Sequence, residues 1–258
     1  LTKFSQRPLL PARDAAQHPA TPQQIWRWPL PASDFSDRVL LRGLAALAER
    51  QVIAISGLHH IDPRHDPLIV AINHSTRAEA ILVPTLLMLH RGGRIVHFLA
   101  DWNFRLIPGI GLLYRRAQTI SVMRKPAKPK ALTVFKPLFA HPLSALEQAR
   151  RKLIAGHAIG VFPEGTVNRD PQMLLPGRRG AAYLSLVTGA KVVPVGIRFP
   201  EAMLNRPIPD TARMTVTIGA AMHPAARAYR PTRAETRDWH AAIMSEIGRL
   251  SAKDWCNR

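Results

Sequence analysis

Cysteine is almost missing from this chain, which removes one common way of stabilising a fold. Among 258 residues only Cys256 is present, so no disulfide framework can form within the chain and the redox compartment stays open. Acidic residues are also scarce, with 17 Asp and Glu against 36 Lys and Arg, a formal charge of +19. Such a surface attracts phosphates, anionic lipid head groups or nucleic acid. With three tyrosines, no aromatic stacking platform and no zinc-finger spacing, nucleic acid is not expected as a partner. Long apolar runs are lacking: the stretches 80–89 and 106–114 each carry a proline and reach about half of the ~20 residues that a membrane-crossing helix needs. No charged and apolar leader pair opens the sequence, so the expectation is a soluble or peripherally bound protein. A Gly-x-Ser-x-Gly nucleophile elbow is absent. The run from His59 to Asp66 holds metal-ligand side chains, but no helical i, i+4 histidine pair or second cluster closes a site, so no metal is expected.

What remains is enough for a globule. At 47% hydrophobic residues, the chain reads as one large domain able to bury a full core. Residues 1–33 are proline-rich without period and read as an extended arm; residues 34–258 form the domain. The segment 37–50 spaces its apolar side chains for one helix face. A core-facing helix is the simpler reading, and a helix lying on a membrane with Arg38, Arg42 and Arg50 toward head groups is the alternative. Short apolar runs at 51–56, 68–72, 94–99, 119–123, 157–162, 191–198 and 214–219 read as strands, and 77–89, 143–155, 179–188 and 234–250 as helices. The alternation predicts an α/β domain whose mixed, largely parallel sheet is flanked by helices, with an amphipathic helix and arm at the N-terminus. The proline-studded, cationic stretch 125–142 is a surface excursion suited to a membrane or to covering an acyl chain.

Chemistry concentrates in Asn73-His74-Ser75-Thr76-Arg77-Ala78-Glu79, which ends the apolar run 68–72. Five residues on one helix turn through about 500°, leaving the two side chains roughly 140° apart, so His74 and Glu79 meet only if the histidine still lies in the turn. That placement would set a general base beside the group that orients it. Thr76-x-x-Glu79 also spells a capping box, which needs no chemistry. In a second segment, Val161-Phe162-Pro163-Glu164-Gly165-Thr166, proline stops a strand and glycine lets a ligand approach at the strand end, where open α/β sheets bind.

Together these segments resemble the glycerolipid acyltransferase superfamily typified by 1-acylglycerol-3-phosphate acyltransferases, over about residues 68–198. The first stands where that family has Asn-His-x-Ser-x-x-Asp, with Glu for Asp and the serine shifted to Ser75. Leu106-Ile107-Pro108-Gly109-Ile110-Gly111 followed by Ser121-Val122-Met123-Arg124 resembles the second block. Phe162-Pro163-Glu164-Gly165-Thr166 resembles the third, and Val192-Val193-Pro194-Val195-Gly196-Ile197 the fourth.

The resemblance implies transfer of a fatty acyl group from acyl-CoA or acyl carrier protein to a lipid hydroxyl, with the thioester as co-substrate and no other cofactor. It implies His74 as the base and Glu79 as the residue that orients it, a glutamate variant like that of late lipid A acyltransferases. Arg124, Glu164, Gly165, Thr166 and Arg169 are the implied substrate-binding residues. The family's third block continues with an arginine where this chain has Val167, and Arg169 could restore the charge, with Arg124, Arg178 and Arg179 adding to a phosphate cradle. The expected partners are a lysophosphatidate-like acceptor, the acyl thioester donor, acyl carrier protein and an anionic membrane surface. The expected location is the cytoplasm, peripheral on the inner face of the membrane. The missing arginine leaves open an acceptor without glycerol phosphate, such as a lyso-aminolipid, a glycolipid or a secondary metabolite. A basic lipid- or nucleic-acid-binding protein without turnover is the reading from another class.

Overall fold

Along β2 (Leu68–Ile72) every side chain is buried, because the strand has a core on each side: Leu68, Val70 and Ile72 point into one cluster, Ile69 and Ala71 into the other. Burial on both faces is why the run is continuously apolar rather than alternating. The computed structural model describes residues 21–124, 126 and 130–256. Six further strands join β2: β1 (Val52–Ser56), β3 (Val96–Asp101), β4 (Ile120–Val122), β5 (Ala158–Val161), β6 (Lys191–Arg198) and β7 (Met214–Ile218). Their spatial order is β1-β7-β6-β2-β5-β3-β4, parallel throughout except for the β6–β7 pair. This is the mixed, largely parallel α/β sheet that the sequence predicts.

Helices cover both faces. On one, α2 (Phe35–Ala48) packs Leu41, Ala45 and Ala48 into the cluster shared with α3 (Glu79–His90). On the other, α5 (Ala145–Ile154), α6 (Gly180–Thr188) and α7 (Arg233–Ser251) contribute Leu153, Leu184 and Ile243. Each such side chain, fully buried, contributes ~1.5–3 kcal/mol. The buried face of α2 agrees with the core-facing reading of 37–50. Its Arg42 Nη2 donates to the Trp28 carbonyl at 2.9 Å, while Phe35 at the first turn stays 77% exposed.

Of the arm expected over 1–33, residues 1–20 lie outside the described residues. Beyond them Thr21 and Gln24 form a capping box on α1 (Pro22–Arg27), and Ile25 and Leu30 are buried against the domain. Two elements carry no strong sequence signal. One is α4 (Ile110–Arg116), which starts after Gly109; the other is a run of 3-10 turns over Lys130–Phe139. In the expected excursion 125–142, residues 125 and 127–129 lie outside the described residues, and the 3-10 run leaves Val134 and Leu138 72% and 76% exposed. β3 begins and ends two residues later than the apolar run 94–99, because its ladder with β4 pairs Ala100 with Ser121 and Asp101 with Val122. Among the described residues no helix is long and apolar enough to cross a membrane.

Candidate active site

Parallel pairing of β2 with β5, Val70 opposite Gly160 and Ala71 opposite Val161, brings the C-terminal ends of both strands to one edge of the sheet. Two residues past β2 comes His74; three past β5 comes Glu164. Asn73 locks the turn between them to β6: its Nδ2 donates to the Ile197 carbonyl at 3.0 Å, and its Oδ1 accepts the Ile197 amide at 2.7 Å. The turn then runs on to α3, which begins only at Glu79.

Because the helix starts that late, the imidazole and the carboxylate meet. His74 Nδ1 lies 3.0 Å from Glu79 Oε1. The Glu79 side chain is completely buried, whereas 14% of the His74 side chain reaches solvent. Beside a carboxylate the proton belongs on Nδ1, which leaves the Nε2 lone pair for other chemistry. Glu79 Oε1 also accepts the Ser75 amide, and Oε2 accepts the Thr76 hydroxyl at 3.3 Å. Thr76 Oγ1 in turn accepts the Glu79 amide at 3.3 Å. The capping box that Thr76-x-x-Glu79 spells does not form: Ala78 is the N-cap of α3 and makes no side-chain bond to it, while the Glu79 carboxylate reaches past Thr76 to the Ser75 amide and the ring.

The ring's other support is aromatic. Phe162 packs on His74 with centroids 4.6 Å apart, and Phe98 packs on Phe162 at 5.6 Å. Gly160 makes this possible, since a Cβ there would sit 2.4 Å from the Phe98 ring.

The third block holds the histidine's backbone. Glu164 Oε1 accepts the His74 amide at 2.8 Å, and Oε2 accepts Asn168 Nδ2 at 2.7 Å and the Leu175 amide at 3.0 Å. The Asn168 amide donates to the His74 carbonyl at 2.7 Å. Burial raises the Glu164 carboxyl above its usual value, while these three hydrogen bonds pull it the other way. Glu164 is thus turned inward, toward the turn. Gly165 adopts φ +68, and a Cβ there would sit 2.5 Å from Arg178 Nε, so glycine lets that guanidinium lie over the strand end. The Arg178 amide donates to the Pro163 carbonyl at 2.7 Å.

The remaining sequence-predicted residues are distributed unevenly. Thr166 is exposed at the rim. Arg169 is engaged: Nη1 donates to the Ile208 carbonyl and Nη2 to Asp210 Oδ2, both at 2.6 Å. Asp210 Oδ1 also accepts the Arg77 amide at 2.8 Å, so this pair ties the loop after β6 to the dyad turn. Arg124 is exposed just past β4. Sequence reasoning missed the Asn168 side chain as a link between the blocks, and it missed Lys253, whose Nζ donates to Ser75 Oγ at 2.8 Å. The departure from the family pattern at 167–168 marked the first. Nothing in the local sequence marked the second, which is 178 residues away from its partner.

The family described as Acyltransferase matches residues 52–198, from the start of β1 to the end of β6 and more than half of the chain. The chain belongs to the acyltransferase family. No curated protein matches it closely enough to count as a relative. Among solved structures it is similar to the 1-acyl-sn-glycerophosphate (LPA) acyltransferase PlsC from Thermotoga maritima. That likeness has a TM-score of 0.55 at 19% identity, covering 85% of this chain and 83% of that chain, and it is a likeness of fold. The resemblance carried by the four motif blocks therefore holds at the level of the superfamily, and this acyltransferase has the α/β architecture seen in PlsC. Among the described residues no group of three or more His, Cys, Asp or Glu side chains is placed to hold a metal ion.

Glu164→Gln would turn an amide nitrogen toward donors that now meet carboxylate oxygens. The expected loss is about 1–3 kcal/mol in unfolding free energy, read from urea titration. Unchanged stability would show that the carboxylate is not what links the two strand ends.

Proposed function

We propose that this acyltransferase moves a fatty acyl group from an acyl thioester, acyl-CoA or acyl carrier protein, to the hydroxyl of a lysophospholipid. The observation that carries the reading is the 3.0 Å contact of a partly exposed His74 with a fully buried Glu79 at the mouth of β2. With Nδ1 held by the carboxylate, Nε2 removes the acceptor's hydroxyl proton as its oxygen bonds to the thioester carbonyl carbon. Collapse of the tetrahedral intermediate breaks the C–S bond, and the imidazolium returns the proton to the leaving thiolate. Glu79 stabilises the imidazolium between these steps. Glu164 acts through the His74 backbone, as a positioning residue.

For the acceptor's phosphate, Arg178 is the best placed cation, because its guanidinium lies over Gly165 while Arg169 is spent on Asp210. Exposed Thr166 and Arg124 complete the acceptor side in this reading. The engagement of Arg169 equally favours a second reading, an acceptor with no glycerol phosphate.

Docking on an anionic membrane, at its inner face, fits the remaining surface. Phe104, Ile107, Leu112, Val134 and Leu138 are all exposed, and their two segments meet where Trp102 packs on Phe139 at 5.9 Å. Arg115 and Lys130 are exposed on the same segments, a mixture that suits an anionic interface.

His74→Ala should abolish thiol release from acyl-CoA in the presence of lysophospholipid, and an undiminished rate would end the dyad reading. Glu79→Asp should keep measurable activity while Glu79→Gln loses on the order of a hundredfold or more, because the charge matters more than the reach; equal losses would refute that ordering. Arg178→Ala should raise KM for lysophosphatidate on the order of tenfold with little change in kcat. An unchanged KM would instead favour the phosphate-free acceptor. Binding to anionic vesicles should weaken as salt rises, and weaken further in Leu138→Asp; indifference to both would remove this surface as the docking face.

A further inference from the structure

A lysine with almost no solvent exposure stands behind the dyad, supplied by the C-terminal segment. Ala252 ends α7 in the left-handed conformation and turns the chain back, so that the Lys253 amide donates to the Gly248 carbonyl at 3.0 Å. Next, the Asp254 amide donates to the Gln172 carbonyl at 2.7 Å, and the Leu174 amide to the Asp254 carbonyl at 2.8 Å. Trp255 Nε1 adds a bond to the Pro176 carbonyl at 3.3 Å. The tail is thereby zipped onto the loop whose Leu175 amide is held by Glu164.

From this seat Lys253, 5% exposed, sends its ammonium inward. Nζ donates to Ser75 Oγ at 2.8 Å and to the Asp170 carbonyl at 2.5 Å. Lysine is almost never buried unless paired, since removing an ammonium from water costs several kcal/mol. Burial lowers the Lys253 ammonium below its usual value, and the carboxylates facing it oppose that: Glu164 after β5, Glu79 on α3 and Asp170 in the loop. Ser75, which it grips by the hydroxyl, gives its own amide to Glu79 Oε1.

We infer that Lys253 is a positioning residue for the His74–Glu79 pair, fixing the Ser75 turn that orients the Glu79 carboxylate and balancing the negative charge buried behind it. The inference rests on the reading of His74 as the base. A neutral side chain at 253 leaves Glu79 and Glu164 uncompensated, so the dyad takes up its proton at higher pH, and the Ser75 amide loses its fixed direction.

The test uses the full chain with Lys253→Met, Lys253→Gln as a second neutral variant that keeps a donor, and Lys253→Arg, which keeps the charge. NMR of the His74 ring, assigned by its loss in His74→Ala, follows the titration in the protein alone, whatever acceptor it uses. Both neutral variants should move the midpoint up by about half a pH unit or more, and Lys253→Arg should leave it near that of the parent. In acyl transfer from acyl-CoA, kcat of the neutral variants should fall on the order of tenfold or more, with KM for acyl-CoA changed less than about twofold. A midpoint that stays put in a folded neutral variant overturns the inference. Activity retained in His74→Ala would overturn the base itself, a failure that the NMR titration keeps distinct.

Discussion

Two parallel strands end side by side, and a single buried carboxylate bridges the turns that leave them. Glu164 takes the His74 amide on one oxygen and the Asn168 and Leu175 donors on the other, so the turn carrying the histidine and the loop carrying Gly165 and Arg178 cannot move independently. Glu164 is only 5% exposed, and a buried donor left without its acceptor is costly. The direction of the imidazole follows from this constraint. Its backbone is held by Glu164 and Asn168, its Nδ1 by Glu79 and its face by Phe162.

Charge is arranged differently inside the molecule and on its surface. The chain carries an overall excess of 19 positive charges, and among the described residues the only buried Lys and Arg are Arg91 and Lys253, so the rest reach solvent, where salt screens them. Behind the site the balance is local: the Glu164, Glu79 and Asp170 carboxylates face the Lys253 ammonium. Low effective dielectric makes such a balance stiff, since moving any one member strands another. That stiffness suits the reaction proposed above, in which a positive charge appears and disappears on the His74 ring.

Much of this could be read along the chain. The runs at 68–72 and 191–198 become β2 and β6 with the same bounds, because burial on both faces leaves no ambiguity in a short continuous apolar stretch. Spacing alone allowed His74 and Glu79 to meet only with the histidine still in the turn, since no single helix lets them touch, and the family resemblance is what paired them. What resisted reading were contacts with no local pattern. The inward turn of Glu164 depends on where Leu175 and His74 fall across a strand gap, and the loss of Arg169 to Asp210 depends on a loop 41 residues away. α4 and the turns over Lys130–Phe139 were missed because glycine and proline interrupt the periodicity that would announce them.

The sequence by itself determined the layered α/β architecture and the family, and it set the condition under which an imidazole meets a carboxylate at a strand end, because periodicity and short spacings are local properties of the chain. Only the tertiary structure decided which charges face the site. Arg178 rather than Arg169 lies over Gly165, and Lys253 reaches Ser75 across 178 residues. The physical reason is that side-chain pairing among distant charges is selected by burial and by competing partners, and both exist only once the sheet, the loops and the C-terminal tail have closed around one another.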